Sequence, residues 1–303
     1  MMSRGVLLKV IFLITVVIAA FSPCFKASYL SWDDRVHVRD NLNVATLSWG
    51  TLQGMFSEHI SGVYIPLTTL SFALERKFFG QSPLASHAIN VILHAAVTVA
   101  IFFLCLRFGL SELAAFIASL VFGLHPVHVE SVAWVTERKD VLFGLFYVLA
   151  LYHYWGYVRT LRGASYGWAL VFGFLSILAK PMAVSLPWVL FVMDWLAGRK
   201  ISVRMFWEKI PFFILLHTIA VVTFFSNARA VDIHFPESIL ALVWTITFYL
   251  RVLFLSVDLG PMRFYPEPVS FANVEYCIAF AVLFVFGVLL WFFRRERWIV
   301  FFV

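Results

Sequence analysis

Nine apolar runs of near-spanning length recur along the chain, at residues 6–22, 86–106, 112–127, 141–158, 166–180, 182–197, 210–226, 238–257 and 274–293. A helix needs about 20 mostly apolar residues to cross a bilayer, so several runs are slightly short, yet the pattern leaves room for little but a helical membrane bundle. Composition agrees, because only 13% of the 303 residues are charged, against roughly 25% in soluble domains. Aromatic residues reach 18%, with 34 Phe, which suits lipid-facing helices and interfacial belts. The fold class read from this is all-α and polytopic. Arg4 and Lys9 precede the first run as in a signal peptide, but no clear small-x-small cleavage site follows, so it reads as a retained helix. Cys24, Cys105 and Cys277 are far apart and odd in number, and imply neither a disulfide framework nor a zinc framework.

The net charge of +6 is arranged to suit a membrane and calls for no nucleic-acid partner. With the N-terminus in the cytoplasm and alternating crossings, Arg107, Arg159, Arg162, Arg199, Lys200, Arg204 and Lys209 fall inside, with few acids beside them. Asp33, Asp34, Asp40, Glu58, Glu75, Glu130, Glu137 and Asp140 fall outside, with balancing bases. This is the positive-inside pattern. The "RRER" at 294–297 breaks it if 238–257 crosses fully. A re-entrant or interfacial 238–257 returns that cluster to the cytoplasm, and is the reading the charge pattern favours.

Two outside loops hold most of the chemistry. The first runs from about residue 23 to 85, long enough to be functional or to carry helices of its own. Within it, "YIPLTTLSFALERKFFG" (64–80) has apolar Leu67, Leu70, Phe72, Leu74 and Phe78 and predicts a short helix on the membrane surface. "YLSWDDRVHVRDN" (29–41) sets Asp33 and Asp34 just after an aromatic anchor. Paired carboxylates near a partly dry surface suit a general base, although a solvated turn after a helix would look the same.

The second loop, "HPVHVESVAWVTERKD" (125–140), opens on His125-Pro126, where Pro ends the preceding helix. If 128–140 is helical, Glu130, Trp134, Glu137 and Val141 share one face, and Arg138 and Lys139 stand at the neck of the next span near phosphate level. The plainer alternative is a polar interface with snorkelling bases. His125, His128 and Glu130 form a string that invites a divalent metal, but a second His pair is missing and hydrogen-bonding histidines are favoured. Inside the membrane, His87, Asn90 and His94 share one stripe of the second span, where interhelical hydrogen bonding outweighs catalysis. Lys180-Pro181 ends the fifth run on the outside, where Lys180 either binds an anionic headgroup or snorkels.

These motifs resemble those of the transmembrane and tetratricopeptide-repeat O-mannosyltransferases, in their bacterial relatives, within the GT-C glycosyltransferase superfamily. The resemblance runs through "WDDRVHVRDN", "YIPLTTLSFALERKFFG", "HAINVILHA", "GLHPVHVESVAWVTERKDVL", "AKPMAVSLPWVLFVMDW" and "YLRVLFLSVDLGPMRFYPEP", in order along nearly the whole chain. It implies a GT-C-like bundle over residues 1–303, incomplete at its C-terminus and without the repeat domain. It implies an inverting transferase whose donor is a sugar on polyprenyl phosphate, mannose by family default, and whose acceptor is a protein hydroxyl. The active face would look to the periplasm from a bacterial inner membrane, or to the lumen of the endoplasmic reticulum.

By position, the acid of the first outside loop in that superfamily falls on Asp33 or Asp34. Glu130, Glu137, Arg138, Lys139, Asp140 and Lys180 would surround the donor phosphate and acceptor. His87, Asn90, His94, His125 and His128 would lend polar support, with no metal ligand assigned; the lipid-linked sugar is the donor, and a divalent metal is open but not favoured. Two positions depart from the animal members, which commonly have Arg where this chain has Ile65 and Glu where it has Pro181. A transporter or lipid flippase without glycosyl transfer is the alternative that the intramembrane polar stripe and Lys180 leave open, although the halves show no convincing self-similarity.

Overall fold

The computed structural model describes residues 3–226, 235–257, 259–260 and 264–293. Among them the regular structure is helical, apart from one isolated bridge between Ile60 and Val63. Helix α1 (Arg4–Ala20) is opened by the Ser3 hydroxyl, which accepts from the Val6 N–H at 3.2 Å. The long first connection folds into α2 (Leu42–Ala45), α3 (Trp49–Ser57) and α4 (Pro66–Phe79). Helix α5 (Pro83–Phe108) has 26 residues. It stops at Gly109, whose φ of 95° is relaxed only for glycine.

Helix α6 (Glu112–Leu124) is capped by Ser111 and ends at His125-Pro126. Proline cannot continue the hydrogen-bond ladder, and the chain bends by 46° into α7 (Val129–Ala133). Then follow α8 (Arg138–Thr160), α9 (Gly163–Ala179), α10 (Leu186–Leu196), α11 (Val203–Trp207), α12 (Ile210–Ser226), α13 (Phe235–Leu255) and α14 (Val274–Phe292).

Among the described residues, four stretches are long and apolar enough to cross a membrane: Pro83–Phe108, Val135–Thr160, Glu237–Leu255 and Val274–Phe292. The bent α6–α7 pair passes the same test as one broken span. The chain is therefore an all-α, multi-pass integral membrane protein. The run at 182–197 yields less helix than its apolarity predicts, because a tight turn at Pro181–Ser185 leaves α10 only 11 residues. Alone, those span about 17 Å at 1.5 Å per residue. Helix α13 is unbroken, which is not the form of a re-entrant hairpin but is shared by a crossing helix and by the interfacial helix that the charge pattern also allowed. The "RRER" on which that preference turned lies outside the described residues.

The chain forms two compact units, Met1–Ala228 and Arg229–Val303. In the first, Val6 and Leu13 of α1 pack with Phe102 and Cys105 of α5 and Ala115 of α6. Lipid tails are as apolar as these side chains, so close packing and hydrogen bonds hold such helices together. Gly123 illustrates the closeness: a Cβ there would lie 2.9 Å from methyl groups of both Thr98 and Val17. In the second unit α13 packs on α14, with the Thr247 hydroxyl donating to the Ala279 carbonyl at 3.3 Å and the Trp244 N–H to Glu275 at 3.2 Å.

Helix α8 sets the two ends of the first unit apart, since Asp140 and Tyr154 are separated by about 21 Å of helix. The far end carries a buried polar clasp. Asp194 accepts from the Tyr154 hydroxyl at 2.9 Å and pairs with Arg199 at 2.8 Å and with the buried Lys209. Glu208 receives Arg199 at 2.8 Å and the Tyr157 hydroxyl at 2.6 Å. Of the inside bases, Arg199, Arg204 and Lys209 are thus matched by Asp194 and Glu208, which tie α8 and α10 to the segment that leads into α12.

Candidate active site at the loop junction

At the other end the first loop, the 125–140 segment and the start of Pro181–Ser185 come together. A small apolar cluster made of Val38, Val44, Phe72 and Val135, with Tyr29 against it, supports them. The structure separates the two neighbouring aspartates. Asp34 is fully buried and accepts three hydrogen bonds: from the Leu30 N–H at 2.8 Å, the Thr136 N–H at 2.8 Å and the Thr136 hydroxyl at 2.5 Å. It latches one loop to the other. Asp33 points out, exposed, with no hydrogen bond or ion pair to a described residue. The carboxylates therefore do not act as a pair. Of the two, only Asp33 presents its carboxylate to the surface.

Residues 128–140 are not one helix. After α7 the backbone extends at Trp134 (φ −82°, ψ 120°) and re-enters a tight turn at Val135–Glu137 before α8. The shared face expected for Glu130, Trp134, Glu137 and Val141 therefore does not form. Carbonyls freed at this break find the Asn90 side-chain amide, which lies 3.4, 3.3 and 3.2 Å from the carbonyls of Val132, Trp134 and Val135. Asn90, in the membrane stripe, thus serves the loop. The Thr136 N–H is taken up by Asp34, which completes the stabilisation of the break.

Arg138 corrects a second expectation. Its side chain does not stand at the surface but is fully buried, donating to Asn90 at 2.8 Å and to the Ser86 carbonyl at 3.0 Å. It pairs with Glu75 at 2.5 Å and lies 4.1 Å over the Phe72 ring. Glu75 also accepts from the Ser86 hydroxyl, which sits 3.0 Å from the Tyr29 hydroxyl. Helix α4 is turned accordingly. It buries Thr68, Thr69, Phe72 and Glu75 and exposes Leu74 and Phe78, because the cation at 138 demands its acid inward. Thr68 adds a bond to the Ala179 carbonyl at 3.0 Å.

The remaining charges form two pairs at the surface of this junction. Lys139 meets Glu137 at 2.5 Å, and Lys180 meets Asp140, which also accepts from Ser131 at 3.0 Å. Lys180 thus reaches the 125–140 motif across forty residues of sequence. All four side chains keep between 11% and 24% exposure, so an anion arriving from solvent or lipid headgroups can compete for the lysines. Glu130 is exposed and apart from these pairs. His37 is buried beside Asp34, and its pKa is pushed below the ordinary value by burial first and then by Lys139, so the ring stays neutral at pH 7.

The histidines of the motif serve packing. His125 Nδ1 accepts from the Val127 N–H at 3.2 Å, capping the turn after α6. The His128 ring lies 4.3 Å from Phe122 and 5.2 Å from His94. His94 Nε2 is 3.0 Å from the Gly123 carbonyl, and His87 is buried on the same helix. Among the described residues no three His, Cys, Asp or Glu side chains converge as metal ligands would.

Sequence reasoning missed Glu75, Ser86, Tyr29 and Thr136. The available signal was Glu75 itself, an acid one turn from Phe72 on a helix with no exposed reason to carry it.

No protein-family model matches the chain. No solved structure matches it either. Among curated proteins it is 39% identical over 172 residues to "Protein O-mannosyl-transferase tmtc2" of Xenopus laevis, covering 53% of this chain and 20% of that protein. It is 39% identical over 107 residues to "Protein O-mannosyl-transferase TMTC1" of Mus musculus, covering 35% and 11%. It is 30% identical over 186 residues to "Protein O-mannosyl-transferase TMTC4" of Homo sapiens, covering 54% and 24%. The chain thus spans between 11% and 24% of the length of these relatives. Over about half of its own residues, the chain is thus similar to proteins named as protein O-mannosyl-transferases.

Proposed function

We propose that this protein is a membrane glycosyltransferase that moves a hexose, mannose, from polyprenyl phosphate to a protein hydroxyl at the extracytoplasmic face. The observation that carries the reading is Asp33, an exposed and unpartnered carboxylate at the junction that also holds the Lys139–Glu137 and Lys180–Asp140 pairs. The names of the relatives supply the transferred sugar and the acceptor class.

The chemistry is a single inverting displacement. The acceptor oxygen attacks the anomeric carbon while Asp33 removes its proton. The bond from that carbon to the phosphate oxygen breaks, and its electron pair leaves with polyprenyl phosphate, which gains one negative charge. Lys139 and Lys180, released from their carboxylates, balance that charge at the plane where the lipid phosphate rests. Asp34 and Arg138 act through others: Asp34 fixes the distance between the loops, and Arg138 fixes α4 and α5 to the start of α8.

The test supplies membranes containing the protein with polyprenyl-phosphate mannose or with a nucleotide-linked mannose, and weighs membrane proteins for added hexose. Addition from the lipid-linked donor alone is expected. Addition only from the nucleotide sugar, or from neither, refutes the proposal.

A further inference from the structure

Two tryptophans from different loops meet beside the unpartnered acid. Trp32, the neighbour of Asp33, keeps 48% of its surface exposed, and its ring centroid lies 5.7 Å from that of Trp134 at a tilt of 55°. Trp134 is the residue at which the helix breaks, and its carbonyl is held by Asn90. Trp32 stands two residues before the Asp34 latch. Both rings are thus carried on backbone fixed by buried hydrogen bonds.

Trp49, Trp168, Trp188 and Trp207 are more exposed than Trp32 and fit interfacial anchors. An anchor needs neither a second ring from another loop nor a free carboxylate beside it. The same junction also holds hydrogen-bonding atoms that nothing satisfies. The Trp134 indole N–H and Nδ1 of His37 are buried without partners, and His37 is only 6% exposed. A buried unpaired polar atom costs about 1–3 kcal/mol, which marks a place completed by water or by a ligand.

We propose that the exposed face of Trp32, backed by Trp134, is a hexose subsite. A pyranose ring presents one face of C–H groups, which carry partial positive charge and lie favourably on the negative face of an indole. Its rim of hydroxyls then meets Asp33. The assignment rests on the lipid-linked hexose donor proposed above, and it gives that donor's sugar a surface separate from the lysines that face its phosphate. Trp32 becomes the residue that distinguishes the loaded lipid from the spent one.

The experiment measures binding rather than transfer, using purified protein in nanodiscs and two probes, decyl phosphate and decyl phosphoryl-mannose. Wild-type protein is expected to hold the mannosylated probe roughly tenfold more tightly, a margin in the range of a single aromatic contact. Trp32→Ala erases the margin and leaves decyl phosphate binding unchanged, which also shows that the variant is folded. Trp32→Phe, with a ring still in place, retains most of it. If Trp32→Ala keeps the wild-type margin, or weakens both probes equally, the subsite is wrong. Wild-type protein that binds both probes alike overturns the subsite but not the lipid-phosphate reading. Binding of neither probe overturns both.

Discussion

At positions 33 and 34 the same side chain occurs twice with opposite surroundings, and those surroundings decide what each can do. A carboxylate receiving three hydrogen bonds, one at 2.5 Å, is fixed in the loop junction. Its neighbour, with none, keeps its lone pairs for a visitor. The same logic governs Arg138, which its motif position appoints to a phosphate but which burial assigns to Glu75. Removing one partner of a fully buried ion pair leaves the other charge stranded, at a cost of about 3–5 kcal/mol. Glu75→Gln is therefore expected to lower the melting temperature of the purified protein sharply, whereas Glu75→Leu combined with Arg138→Met recovers most of the loss. An unchanged melting temperature in Glu75→Gln would show that the pair does not hold the junction.

Among elements, the interruption at Trp134 is the feature with most consequence, because it lets one segment serve two loops. Asn90 stabilises it from within the membrane by facing three carbonyls. Asn90→Leu strips those carbonyls and the Arg138 Nε of a partner, so residues 132–138 should exchange their amide hydrogens at least several-fold faster than in wild type while α12 exchanges as before. Equal protection at 132–138 would argue against this role.

The apolar runs, the helix end at Pro126, and the concentration of chemistry at 29–41, 125–140 and Lys180 were all legible in the sequence, because each follows from local composition and spacing. What was not legible depends on contacts between distant residues. Nothing near Asp34 announces that Thr136 will claim it. Periodicity allowed 128–140 as one helix and could not show the break, since the amide that compensates it sits on α5. The apolar positions of α4 marked a helix, but not that it turns Glu75 inward, because Arg138 on another element sets that.

On the scale of the whole molecule, the account needs the loop junction and the Asp194 clasp on opposite sides of the membrane. In a background with Cys24, Cys105 and Cys277 replaced, a cysteine at Asp40 should react with an impermeant maleimide from the extracytoplasmic side. One at Lys200 should react only after permeabilisation. Single cysteines at Ser238, in the first turn of α13, and at Ser270, beyond its end, should react from opposite sides if that unbroken helix crosses. Labelling of both from one side would establish the re-entrant or interfacial reading instead.

The central claim is that Asp33 acts on the substrate while Asp34 holds the site together. It is tested most directly by measuring hexose addition to membrane proteins, by mass, in parallel with protein abundance for Asp33→Asn and Asp34→Asn. The account predicts that Asp33→Asn is as abundant as wild type and transfers slower by about a hundredfold or more, the share of a general base. It predicts that Asp34→Asn is lost mainly through falling abundance and thermal stability. Wild-type transfer by Asp33→Asn, at normal abundance, would contradict it.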